Sequence, residues 1–255
     1  MDERRLGNVW ITGASSGIGE AFARLAVAKS TKIAISARSA EKLQVIEEAD
    51  SKLSAYPLDV TDAKAVSETI SAIESDMGGI DTAVLNAGVW KPMRADDMDL
   101  EAIHQSMEVN YFGVVNAVHA LLPGMIKRGG GHIAIVASVA GYRGLPTAAG
   151  YGSSKAAAMH FAETMALELR RHGITVSIIN PGFVDTPMTQ VNQYNMPGIM
   201  SVDKAAKTLL DGLLKKKLAI FFPLGFTLAM RALNFLPYRL YYWLAGRMTG
   251  VNKKR

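Results

Sequence analysis

Two residues four apart, Tyr151 and Lys155, carry the first chemical signal in this sequence. They close the stretch S-V-A-G-Y-R-G-L-P-T-A-A-G-Y-G-S-S-K, which runs from Ser138 to Lys155. Ala156, Ala157, Ala158 and Met159 follow and favour a helix, and residues at that spacing share one helical face. A free phenol titrates near pH ~10. A fixed cation a few ångströms away favours the phenolate, which suits a tyrosine that moves protons at neutral pH. Solvated helix faces show the same spacing, so the pair alone leaves both readings open.

The elements that would position this pair are strands and helices in alternation. Val9 to Ile11 is an apolar run that ends in T-G-A-S-S-G-I-G, Thr12 to Gly19, and a helical pattern follows with Ala21, Phe22, Leu25 and Ala26. Strand, glycine turn and helix together aim backbone N–H groups at a phosphate. The spacing Gly13-x3-Gly17-x-Gly19 differs by one residue from the common dinucleotide fingerprint. A second strand, Lys32 to Ser36, ends in Ala37-Arg38-Ser39 with no acid before Glu41. An acid there takes the ribose 2′-hydroxyl of NAD, whereas an arginine accommodates a 2′-phosphate. Arg38 therefore reads as a phosphate ligand in preference to a plain surface residue, and Ser39 as a helix N-cap.

Further strands are read at 53–60, 80–88, 132–138, 174–180 and 218–222, with Thr61 capping the helix from Asp62 and a helix from about Asp97 running into a second through Asn110 to about Lys127. Such alternation predicts a doubly wound, Rossmann-type α/β fold, a parallel sheet of about seven strands covered on both faces. Ligands bind at the carboxyl ends of such strands, where Gly13, Arg38, Asp59, Asn86 and Ser138 fall.

With T-G-A-S-S-G-I-G, L-D-V-T-D at 58–62, N-A-G at 86–88, Asn110, Ser138, Tyr151-x-x-x-Lys155 and P-G-F-V-D-T at 181–186 in this order, the chain resembles the short-chain dehydrogenase/reductase family from about Asn8 to Pro223. The resemblance implies an oxidoreductase acting on a carbonyl and its alcohol. Tyr151 would be the acid and base, Lys155 would assist it and bind the nicotinamide ribose, Ser138 would hold the substrate oxygen, and Asn110 would bind a water for proton resupply. It also implies that Gly13, Ser15, Ser16, Gly17, Ile18 and Gly19 surround the pyrophosphate. Asp59 and Val60 would meet adenine, and Asn86, Ala87 and Gly88 the adenosine ribose region. Pro181, Gly182, Val184 and Thr186 would position the carboxamide. With Arg38, NADP(H) is the expected cofactor.

The segment after Thr186 resembles the family's mobile substrate lid. Its Met188, Tyr194, Met196, Ile199 and Met200 make it apolar, and Trp90, Met93, Tyr142 and Leu145 are read either as the same mouth or as loop packing. A hydrophobic ketone or aldehyde is the expected substrate class. A 3-oxoacyl or lipid-ketone reductase is the alternative within enzymes, and a non-catalytic NADP-sensing or scaffold protein the alternative outside them.

Residues 1–223 read as one domain and 224–255 as a helical extension divided by Pro237. In its first helix Thr227, Arg231 and Asn234 form a narrow polar stripe among Leu224, Phe226, Leu228, Met230, Leu233, Phe235 and Leu236. From Ser201 onward eleven Lys or Arg stand against two Asp, so a formal charge of +5 leaves the preceding chain net acidic. Basic and aromatic residues beside apolar ones suit a peripheral membrane contact. A cap over the substrate mouth and a dimer arm are equally open, and no nucleic-acid partner is expected. A homodimer through the Asn110 and Tyr151 helices is expected. The sequence has no cysteine, which excludes disulfides and thiolate sites and fits a reducing compartment. The five scattered histidines give no ligand spacing, so no metal is expected. M-D-E-R-R-L-G-N lacks the apolar segment of a secretory signal. The expected location is cytoplasmic, with membrane association through the extension as one of these open alternatives.

Overall fold

The apolar runs become the strands of one sheet. The computed structural model describes residues 5–192 and 196–249; Tyr194 of the lid and Lys253, Lys254 and Arg255 of the extension lie outside them. The strands are β1 (Gly7–Thr12), β2 (Ser30–Ser36), β3 (Leu53–Ala55), β4 (Thr82–Leu85), β5 (Gly131–Val136), β6 (Ile174–Pro181) and β7 (Ala219–Phe222). They are parallel in the order β3-β2-β1-β4-β5-β6-β7. The order reverses between β1 and β4, which opens the crevice where such sheets bind ligands.

Side chains of a strand alternate between faces, and β1 shows how this builds two cores. Val9 and Ile11 join one cluster with Phe22, Leu209 and Phe222. Trp10 joins the other with Ile73, Leu121 and Ile133. The first core is covered by α1 (Gly17–Ala26), α2 (Ala40–Glu47) and α7 (Val202–Leu214). The second is covered by α3 (Ala63–Met77), α5 (Gly113–Arg128) and α6 (Ala149–Glu168). A shorter helix, α4 (Leu100–Met107), precedes α5, and the extension forms α8 (Leu224–Ala232) and α9 (Tyr238–Thr249).

Three local expectations are corrected and one is refined. The third strand stops at Ala55 instead of running to Val60. Pro57 has no N–H to give the ladder, although Tyr56 and Leu58 still donate to the Ile35 and Ala37 carbonyls at 2.9 and 3.0 Å. Asp62, not Thr61, caps α3 by accepting from the Ala65 N–H at 2.9 Å, because Thr61 donates its hydroxyl to Asp59 Oδ1 at 2.8 Å. The helical stretch through Asn110 is present as expected, with Glu108–Phe112 as a π-type turn between α4 and α5. The polar stripe of α8 is split, since Thr227 faces inward and is buried while Arg231 and Asn234 are exposed.

Candidate active site

The carboxyl ends of the strands converge on a cleft of about 430 Å³. At its first end β1 passes into the glycine turn. Gly13 has φ +66, and a Cβ there would stand 2.7 Å from Ala87 Cα, so only glycine fits. The turn is stapled from the neighbouring strand end. Asn86 donates its side-chain amide to the Thr12 and Gly13 carbonyls at 3.3 and 3.1 Å, while the Asn86 and Ala87 N–H groups bond Thr12 Oγ1 at 3.0 and 3.1 Å. Ser16 stands at the N-cap of α1 without a side-chain capping bond, so the first N–H groups of that helix keep their donors for an anion.

Arg38 leaves the end of β2 and lines the same cleft, with Asp59 and Val60 opposite. Ser39 caps α2 as expected, accepting from the Lys42 N–H at 3.4 Å. The cleft continues past Asn86, Ala87 and Gly88 to Ser138, Tyr151 and Lys155, and closes on Pro181, Gly182, Val184 and Thr186. Ser15, Gly17 and Ile18 line the turn itself. Gly19 and Asn110 stand behind the wall. A Cβ at Gly19 would lie 2.3 Å from the Gly13 carbonyl oxygen, so Gly19 lets α1 approach the turn.

At the far end Lys155 is buried and donates from Nζ to the Val136 carbonyl at 2.7 Å. Burial pushes its ammonium down to about 8. Its Nζ lies 5.7 Å from the centroid of the Tyr151 ring, so both residues occupy one face of α6. Ser138 caps a short 3-10 turn: its Oγ accepts from the Ala140 N–H at 3.1 Å and stands 3.5 Å from the Pro181 carbonyl. Asn110, fully buried, acts as a clamp. Its Oδ1 accepts from the Val89 N–H at 2.8 Å, and its Nδ2 donates to the Val89 carbonyl at 3.1 Å and to Ser154 Oγ at 2.9 Å. The π-type turn, closed by the Gly113 N–H on the Glu108 carbonyl, places that amide against the segment after Gly88.

Three comparisons bear on this arrangement. The family model described as short chain dehydrogenase matches residues 7–196. The chain belongs to the short-chain dehydrogenase family. A protein of Myxococcus xanthus (strain DK1622) described as an uncharacterized oxidoreductase is 32% identical over 252 residues, covering 97% of this chain and 100% of that protein. A short-chain dehydrogenase of Streptomyces avermitilis, solved by crystallography, superposes with TM-score 0.82 at 25% identity over 97% of this chain and 99% of its own. A family member from Burkholderia phymatum, solved in complex with NAD, has TM-score 0.81 at 22% identity over 91% and 94% of the two chains and shares the fold.

In this short-chain dehydrogenase the structure adds residues that sequence reasoning passed over. Lys42 lines the cleft beside Arg38; its signal was its place one turn after Arg38, in the first turn of α2. Trp90, read only as mouth or loop packing, meets the Tyr151 ring edge-on at 5.0 Å between centroids. Its Nε1–H donates to Asn192 Oδ1 at 2.9 Å, which ties the Tyr151 end of the cleft to the segment after Thr186. Met188 lines the cleft. Met93 is buried and serves packing.

Proposed function

We propose that this oxidoreductase is NADP(H)-dependent and interconverts a hydrophobic ketone or aldehyde with its alcohol, using Tyr151 as acid and base. The observation that carries the reading is one cleft with Tyr151, Lys155 and Ser138 at one end and a glycine turn with Arg38 at the other. The glycine cradle, the uncapped α1 N-terminus and two cations fit a phosphorylated dinucleotide. Arg38 and Lys42 would hold the 2′-phosphate, and the turn from Gly13 to Gly19 the pyrophosphate. When bound, the nicotinamide supplies or accepts the hydride.

The chain's own residues handle the proton. Tyr151 gives its phenolic proton to the carbonyl oxygen during reduction and takes it back during oxidation. The Ser138 hydroxyl, held only at 3.5 Å from the Pro181 carbonyl, turns to donate to the same oxygen and stabilises its charge. Lys155 replaces the proton lost by Tyr151. A Cβ at Gly88 would stand 3.1 Å from Asn110 Oδ1 and 3.5 Å from Lys155 Nζ, so both polar atoms face that glycine and can share a water. Apolar Met188 and Trp90 beside the cleft favour a hydrophobic substrate.

Purified protein is assayed with NADPH and a panel of hydrophobic ketones and aldehydes. Turnover is expected, and Tyr151→Phe is expected to abolish it while NADPH still binds. Tight NADPH binding without turnover of any carbonyl would instead assign the chain to the sensing or scaffold class. Substantial activity in the Tyr151→Phe protein would remove the tyrosine from the chemistry.

A further inference from the structure

The extension buries Met230 and Tyr241 but leaves most of its apolar side chains outside. Thr227 of α8 is 1% exposed, whereas Leu224 is 61%, Phe235 86% and Trp243 57% exposed. Leu228, Tyr238, Leu240, Tyr242 and Met248 are exposed as well. A surface helix ordinarily turns its apolar stripe to the core. The inner face of this pair of helices is already committed. Arg143 donates from Nη1 to the carbonyls of Leu233, Asn234 and Leu236 at 2.8, 3.2 and 2.8 Å. Its guanidinium lies 4.2 Å from the Tyr241 ring centroid and 4.9 Å from that of Tyr238. Tyr241 donates its hydroxyl to the Gly144 carbonyl. Phe226 packs on Phe183 at 5.1 Å between centroids. These exposed apolar residues therefore belong to a docked element, and apolar surface gathered on one element marks interaction sites.

Charge names the occupant. No Asp or Glu follows Asp211 in the sequence, while Arg231, Arg239 and Arg247 rise from these two helices and Lys253, Lys254 and Arg255 follow them. The three arginines are exposed, and the Arg247 guanidinium lies 5.7 Å from the Trp243 ring centroid. A two-fold contact with a second copy would bring this uniformly cationic face against itself. An anionic lipid surface takes every part of it. Leucine and phenylalanine enter the acyl boundary, tyrosine and tryptophan sit at headgroup level, and arginines reach the phosphates. At 9 and 12 residues and ~1.5 Å per residue, neither helix can cross a hydrocarbon core of ~30 Å. They can lie on it.

We propose that the outer face of α8 and α9 docks this protein on anionic membranes. Phe226 also stands over Gly182 of the cleft, where a Cβ would lie 2.7 Å from Phe226 Cδ1. The docking does not rest on the catalytic reading above.

The test uses the full chain, without cofactor or substrate, and vesicles of phosphatidylcholine alone or mixed with phosphatidylglycerol. Co-sedimentation is expected with the mixed vesicles and weak with the neutral ones, together with a blue shift of tryptophan fluorescence that Trp243→Phe removes. Arg239→Ala and Arg247→Ala should each weaken binding about fivefold, the factor equivalent to ~1 kcal/mol per basic residue at an anionic surface. The double variant Phe235→Ser, Trp243→Ser should abolish binding with an unchanged melting temperature, because both side chains are exposed. No binding to mixed vesicles overturns the proposal, as does binding that none of these variants weakens. A dimer that the double variant dissociates, in protein that ignores vesicles, would assign the face to a second copy.

Discussion

A buried lysine bonded to a backbone carbonyl makes a pH experiment with a definite sign. In the unfolded chain Lys155 keeps its proton up to about 10.5, and in the folded protein burial lowers that to about 8. Between those values the unfolded state holds the extra proton, so stability rises with pH. The slope approaches ~1.4 kcal/mol per pH unit, and integration from pH ~7.5 to ~9.5 gives a gain of ~2 kcal/mol. Below about 8 the ammonium is charged in a buried site where it donates to the Val136 carbonyl, and the folded state bears that desolvation cost. The measurement is urea unfolding of the cofactor-free protein across this window, beside Lys155→Met, which keeps length and removes the charge. The wild-type stability should climb by ~2 kcal/mol relative to the variant. A wild-type profile parallel to that of Lys155→Met, or falling against it, would show that the ammonium is not desolvated as its burial implies.

His132 gives the acid counterpart. Burial first, then the nearby Lys216, lowers it to about 4 from an ordinary 6.5, and its Nε2 stands 2.7 Å from Ser177 Oγ. The unfolded chain takes up the proton first as pH falls, so between pH ~7 and ~4.5 this residue costs ~2 kcal/mol of stability; His132→Gln should lose that much less over the same acid titration. At the cofactor end, Arg38→Leu should lower the ratio of kcat/KM with NADPH to that with NADH by ~10- to 100-fold, the range of a charge-assisted hydrogen bond. Equal efficiency with both cofactors in the unaltered protein would refute the 2′-phosphate assignment.

The carboxyl ends of the strands were readable because a parallel sheet needs continuous apolar runs, and these end at Gly, Asn and Pro. Thr12-Gly13, Leu85-Asn86 and Asn180-Pro181 are such ends, and the crevice rule then collects their neighbours. What escaped reading was decided by competition between near-equivalent partners. Thr61 and Asp62 can both cap a helix; Asp59 takes the Thr61 hydroxyl at 2.8 Å and leaves the cap to Asp62. Nothing in E-V-N-Y-F signals a π-type turn. The Asn110 amide matches both backbone groups of Val89, and that pairing lies outside any local window.

The extension shows the same limit in a sharper form. Helical period identifies which residues share a stripe, but not which stripe meets the protein. Thr227 can face inward because its hydroxyl bonds the Pro223 and Leu224 carbonyls at 2.9 and 3.1 Å, which removes the penalty of burying it. Arg143 then fixes the rotation of the helix pair by taking three carbonyls after α8. An arginine in the loop before Tyr151 thus sets the facing of leucines and aromatics near the end of the chain. Thr227 therefore costs little inside, while Leu224, Leu228 and Phe235 stand exposed outside.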